Sequence, residues 1–139
     1  MSGPFAKRVL LFLIIAGALT GCSSGGNGHS GTNMSGMSME PIKVELSWSP
    51  PEPKAKQEIT FEARVTRGGE AIEDAEVVRF EIVNTADVSK KLELAGKPAG
   101  KGNYTAEGML TEAGSYSVTL HVTARTQHSM PTRSLTVRR

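Results

Sequence analysis

The chain has 139 residues, with 16 Lys and Arg against 14 Asp and Glu, three His and one Cys. Charge this close to balance excludes the basic stripe of a nucleic-acid binder, and a lone cysteine excludes a disulfide framework or a thiolate zinc site. Once a leading segment is set aside, the remaining length suits one domain.

In that leading segment, Lys7 and Arg8 precede an apolar run over residues 9–19. A helix needs ~20 residues to span a hydrocarbon core, so the run has the length of a signal-peptide core instead. Leu19-Thr20-Gly21-Cys22 follows, and it resembles the lipobox of bacterial lipoproteins. The resemblance implies a signal peptide over residues 1–21, cleavage before Cys22, and lipidation of Cys22 itself. The protein would then sit outside the cytoplasm, anchored to a membrane by the acyl chains on Cys22. Its only thiol would be consumed by the anchor, leaving none for catalysis or metal binding.

Residues 23–41, SSGGNGHSGTNMSGMSMEP, are dominated by Ser and Gly. Such a composition cannot bury enough apolar surface to offset the ordering of the chain, which predicts a flexible tether over residues 22–41. Its root-mean-square span would be ~25 Å.

From Ile42 onward the apolar residues recur with period two. Ile42, Val44, Leu46 and Trp48 form one run, and Ile59, Phe61, Ala63 and Val65 a second. Val78, Phe80 and Ile82, then Leu92 and Leu94, then Tyr104 and Ala106 follow. Tyr116, Val118, Leu120 and Val122 make the longest late run, and Leu135 and Val137 the last. This alternation predicts strands with one buried face. Residues 49–53 (SPPEP), 67–70 (RGGE) and 96–102 (GKPAGKG) break the runs with turn residues. About seven short strands over residues 42–139 predict an all-β, antiparallel sandwich of immunoglobulin-like type. Tyr116, at the opening of a late strand, fits either the tyrosine corner of such folds or a plain core aromatic.

The segment from Gly68 to Ile82 has the shape "glycine turn, Asp-Ala, strand". Gly102-Asn103-Tyr104 and Ala113-Gly114-Ser115-Tyr116-Ser117-Val118 come next, then His121-Val122-Thr123-Ala124 and His128-Ser129-Met130-Pro131. Together with the lipobox, these residues resemble the YtkA-like domain family, small exported β domains on bacterial lipoproteins. The resemblance covers roughly residues 42–139. The family is similar to FixH-type proteins, which are linked to assembly of copper-containing respiratory oxidases. The resemblance therefore implies a membrane-bound oxidase or its assembly factors as partners.

The histidines and methionines fall in two places. His29, Met34, Met37 and Met39 lie in the tether, while His121, His128 and Met130 lie near the end of the chain. Imidazole and thioether together suit copper, the thioether favouring Cu(I). In an extended chain His128 and Met130 project to one side, as a shared ion requires. His121 alternates with Tyr116, Val118, Leu120 and Val122, so it should face away from the core. Whether it meets His128 depends on how residues 124–127 return the chain. Arg125 and Arg133 flank this cluster and would oppose a cation. The Met-x-x-Met-x-Met run of Met34, Met37 and Met39 offers auxiliary soft ligands at an effective concentration in the millimolar range.

Enzyme chemistry finds no comparable support. Ser117, His121 and Asp74 could be grouped as a triad, but no strand-turn-helix nucleophile elbow holds them. The expected function is copper binding, or delivery of copper to a membrane oxidase, with His121, His128 and Met130 as ligands. The alternative is a metal-free immunoglobulin-like module that docks a membrane partner.

Overall fold

The computed structural model describes residues 40–139. Cys22, His29, Met34, Met37 and Met39, and with them the predicted signal peptide and most of the tether, lie outside the described residues. The strands are β1 (Ile42–Ser49), β2 (Glu58–Arg67), β3 (Glu70–Ala71), β4 (Val77–Asn84), β5 (Lys91–Ala95), β6 (Lys97–Gly100), β7 (Asn103–Met109), β8 (Gly114–Ala124), β9 (Gln127–Ser129) and β10 (Thr132–Val137). No helix occurs among the described residues.

The strands form two antiparallel sheets of five. One has the order β1-β2-β7-β6, with β3 beside β2; the other has the order β10-β8-β4-β5, with β9 beside β8. Alternation supplies the core as expected. In β2, Ile59, Phe61, Ala63 and Val65 are fully buried; in β8, Tyr116, Val118, Leu120 and Val122 are buried. Phe61 of the first sheet meets Phe80 of the second, with ring centroids 5.8 Å apart. Full burial of one such side chain stabilises the fold by ~1.5–3 kcal/mol, which makes this inter-sheet layer the main source of stability. Tyr116 satisfies both readings of its position. It is buried, and its hydroxyl donates to the carbonyl of Glu112, four residues upstream, at 2.8 Å, the bond of a tyrosine corner.

Three short strands, β3, β6 and β9, add to the seven expected runs. None carries an apolar alternation to reveal it. β6 lies within the stretch read as a turn, is exposed at every position, and contains Pro98. It forms because the chain leaves β5 in one sheet, turns at Gly96, and joins β7 in the other. The β2–β3 hairpin turns at Gly68 and Gly69, with φ of 58° and 83°. Positive φ at both central residues is the requirement of a tight hairpin turn, and glycine meets it without strain.

On the side where β1 and β10 are the edge strands, side chains and a short bridge fasten the two sheets. The Ala55 N–H donates to the Arg138 carbonyl at 2.7 Å, and the Arg138 N–H donates to the Pro53 carbonyl at 2.8 Å. The Arg133 guanidinium donates to the Leu46 carbonyl at 2.6 Å and lies 4.8 Å from the centre of the Trp48 ring.

Candidate metal site

His121 lies on β8, and His128 lies on β9. The turn between these strands is Arg125-Thr126, both at positive φ (50° and 64°), and it sends the chain straight back along β8. Thr123 pairs with His128 and Val122 with Ser129. Past Pro131 the pairing resumes with Thr132 opposite Thr119 and Arg133 opposite Val118. These pairs share one register. β9 and β10 are therefore one strand line, interrupted where Pro131 has no N–H to return the bond it accepts from the Leu120 N–H at 2.9 Å. The same register sets Met130 opposite His121.

Bond parity sharpens this placement. Leu120 and Pro131 occupy a hydrogen-bonded pair position, so His121/Met130, Thr123/His128 and Thr119/Thr132 fall at non-hydrogen-bonded positions, where facing side chains are closer, with Cα atoms ~4.5 Å apart. Two of the three pairs show the contact. The Thr119 and Thr132 hydroxyls are 3.0 Å apart, and the Thr123 hydroxyl is 2.9 Å from Nδ1 of His128. His121 and Met130 lie between them on the same outward face. His128 is the diagonal neighbour of His121, a relation that spans ~7–8 Å between Cα atoms and is bridged by long or aromatic side chains.

Each donor has its own surroundings. His128 is exposed, and Thr123 engages its Nδ1. When the hydroxyl accepts the Nδ1 proton, Nε2 keeps its lone pair for a ligand. Met130 is 63% exposed, which rules out a gap-filling role and leaves the thioether open. His121 is only 23% exposed; its Nε2 is buried, has no hydrogen-bond partner, and lies 3.9 Å from Oε1 of Glu81 on β4. In this arrangement the imidazole leans toward β4 rather than toward His128. Glu81 in turn accepts from Lys91 at 3.0 Å, and Lys91 also reaches Glu93 at 2.6 Å. The Lys91 hydrogen bond holds the Glu81 carboxyl below its ordinary range, against the opposing effect of burial.

The two flanking arginines do not face the donors. Arg133 is spent on the Leu46 carbonyl and the Trp48 ring, and Arg125 pairs with Asp74 at 3.1 Å. Gln127, which precedes His128, ties this strand to the start of β1. Its side-chain oxygen accepts from the Ile42 N–H at 3.0 Å, and its amide nitrogen donates to the Glu40 carbonyl at 3.0 Å. Glu40 and Ile42 are thus fastened to the Gln127 side chain. Met109 is on β7, in the other sheet, and takes no part. Among the described residues no group of three His, Cys, Asp or Glu side chains converges.

Sequence reasoning placed Arg133 beside the cluster but missed its Leu46 and Trp48 partners, and it missed Gln127 and Glu81 as neighbours of the site. Gln127 and Arg133 occupy odd-numbered positions of β9 and β10, opposite in phase to His128 and Met130, and that alternation was a usable signal. Glu81 alternates with the core residues Phe80 and Ile82, which marks it only as an outward-facing residue, yet its side chain is 24% exposed.

Two solved structures resemble the described domain. An engineered protein aligns at a TM-score of 0.45 and 20% identity, over 69% of this chain and 20% of its own. The soluble domain of PmoD from a Methylocystis species (Rockwell) aligns at a TM-score of 0.47 and 14% identity, over 73% of this chain and 94% of its own. The chain thus spans a fifth of the engineered protein's length. No curated protein matches the sequence. The YtkA-like family model matches residues 37–121, from the end of the tether to His121 and short of His128 and Met130. That match covers more than half of the chain, and the chain belongs to the YtkA-like family.

Proposed function

We propose that this protein is a membrane-anchored, extracytoplasmic lipoprotein that binds copper and hands it to a membrane partner such as a respiratory oxidase. The observation that carries the reading is the unbroken register of β8 with β9 and β10, which gathers His121, His128 and Met130 on one outward face. Two imidazoles and a thioether make a donor set suited to copper, and the thioether favours Cu(I). The face is open to solvent at His128 and Met130. Open coordination suits ligand exchange, in which an incoming donor from the partner displaces Met130 or His128 before the ion leaves. Met34, Met37 and Met39 act as auxiliary soft ligands, since Gln127, next to His128 in the chain, holds Glu40 and Ile42 at the domain end of the tether. Lipidation at Cys22 keeps the site within tether reach of the membrane. No catalytic role is assigned to any residue.

One observation favours a second reading, a metal-free docking module. The buried nitrogen of His121 faces Glu81, not His128, and the described residues hold no cluster of three His or carboxylate donors. X-ray absorption at the copper edge separates the readings, using copper-loaded protein in which Met34, Met37 and Met39 are all replaced by Leu. The copper reading expects nitrogen together with one sulfur scatterer. A shell of oxygen and nitrogen alone, or loss of the copper on desalting, would refute it.

A further inference from the structure

An imidazole that binds a metal through one nitrogen leaves the other to be satisfied, and a carboxylate, carbonyl or water usually takes that proton. His121 lies on a central strand of its sheet, between two different neighbours. On the β9–β10 side the register presents Met130 and His128. On the β4 side it presents Arg79 directly opposite, with Glu81 one pair further along, opposite Thr119.

Buried side-chain nitrogen and oxygen atoms without a partner are rare in this domain. Among the described residues they are Oδ1 of Asn103 and Nε2 of His121. The second has an acceptor close by, because Oε1 of Glu81 is 3.9 Å away. That gap is too long for a hydrogen bond, which needs ~2.7–3.2 Å, so the pairing requires the two side chains to approach by about 1 Å. Glu81 is already fixed from its other oxygen, since Lys91 donates to Oε2 at 3.0 Å and is itself held by Glu93 at 2.6 Å. The carboxylate is thus oriented from Oε2 by Lys91, and Oε1 is the oxygen turned toward His121.

We infer that Glu81 is the positioning residue of the copper site: it accepts the Nε2 proton of His121 and so reserves the Nδ1 lone pair for the metal. The inference rests on the proposed copper reading for its purpose, but the pairing it describes requires no bound metal. Lys91 and Glu93 complete the chain behind it, with Lys91 setting the carboxylate and Glu93 setting Lys91. His128 reaches the ion with the opposite nitrogen, because Thr123 engages its Nδ1. The two histidines would therefore bind through different ring nitrogens.

The test uses the full chain in detergent, as wild type, Glu81→Gln, Glu81→Ala and His121→Ala, with two readouts. The first is the imidazole nitrogen shifts of His121 in the metal-free protein near neutral pH. Wild type and Glu81→Gln are expected to show the Nε2-protonated tautomer, and Glu81→Ala a mixture. The second is Cu(I) affinity against a competing chelator. Glu81→Ala is expected to weaken binding by ~10–100-fold, the usual cost of removing such a partner, while Glu81→Gln keeps most of it. An unchanged tautomer in Glu81→Ala overturns the inference. So does an unchanged affinity in Glu81→Ala when His121→Ala weakens binding. If His121→Ala binds copper like wild type, the copper reading of the hairpin fails, and the tautomer alone then decides the Glu81 pairing.

Discussion

Replacing Arg133 with Met would test how the strand line that bears the donors is held to the rest of the sandwich. Arg133 belongs to β10, three residues beyond Met130, and crosses the gap between sheets to the Leu46 carbonyl of β1 at 2.6 Å. Its guanidinium also lies 4.8 Å from the centre of the Trp48 ring. A charge-assisted hydrogen bond contributes ~1.5–3 kcal/mol, and partial burial places this one near the lower end. The cation–π contact adds ~0.5–1 kcal/mol where the ring is partly wet. Met keeps an apolar stem over the indole, so packing is largely preserved and the loss should be about 2 kcal/mol. In a domain of ~100 residues that lowers Tm by roughly 10 °C. The assay is urea unfolding followed by Trp48 fluorescence, and Trp48 is the only tryptophan in the chain. A midpoint within error of wild type, or no change in the native emission of Trp48, would refute the reasoning and show that Arg133 is solvated in solution.

Three further outcomes are expected. Thr123→Val removes the hydroxyl that engages Nδ1 of His128, and it should lower Cu(I) affinity by roughly 10-fold without altering Tm by more than about 2 °C; competition with a chelator and calorimetry would read both. Thr126→Gly relieves a β-branched residue at φ 64° in the β8–β9 turn and should stabilise the domain by about 0.5–1 kcal/mol, seen as a higher urea midpoint. The Lys91 hydrogen bonds lower the pKa values of Glu81 and Glu93, so the stability they give is present above the unfolded carboxylate value of 4.5 and is lost as pH falls through the folded values below it. Lys91→Met should flatten the fall in urea midpoint below about pH 5, and a slope identical to wild type would count against the network.

The fold was legible because burial on one face imposes period two on every long strand. Ile59 to Val65 and Tyr116 to Val122 each run for seven residues without a misplaced polar group. β6 escaped because an exposed edge strand has no buried face to mark it, and its Pro and Gly imitate a turn. At the site, alternation was enough to put His128 and Met130 on one side and to turn His121 away from the core. It could not set the register between them, because the turn that does so, Arg125-Thr126, lacks the Gly or Asn that advertises a tight hairpin. Nor could it show Glu81 beside His121, since that neighbour comes from a strand about forty positions earlier in the chain and depends on the pairing of β4 with β8.

The most direct measurement is a Cu(I) titration of wild type beside His121→Ala/His128→Ala/Met130→Ala, each against a competing chelator. The account predicts one equivalent bound by wild type at sub-micromolar affinity or tighter, and a loss of at least ~10-fold in the variant, as expected when first ligands are removed from a site whose outer partners alone cost that much. Equal, weak binding by both proteins would contradict it. The outward face of β8 to β10 would then hold no metal site.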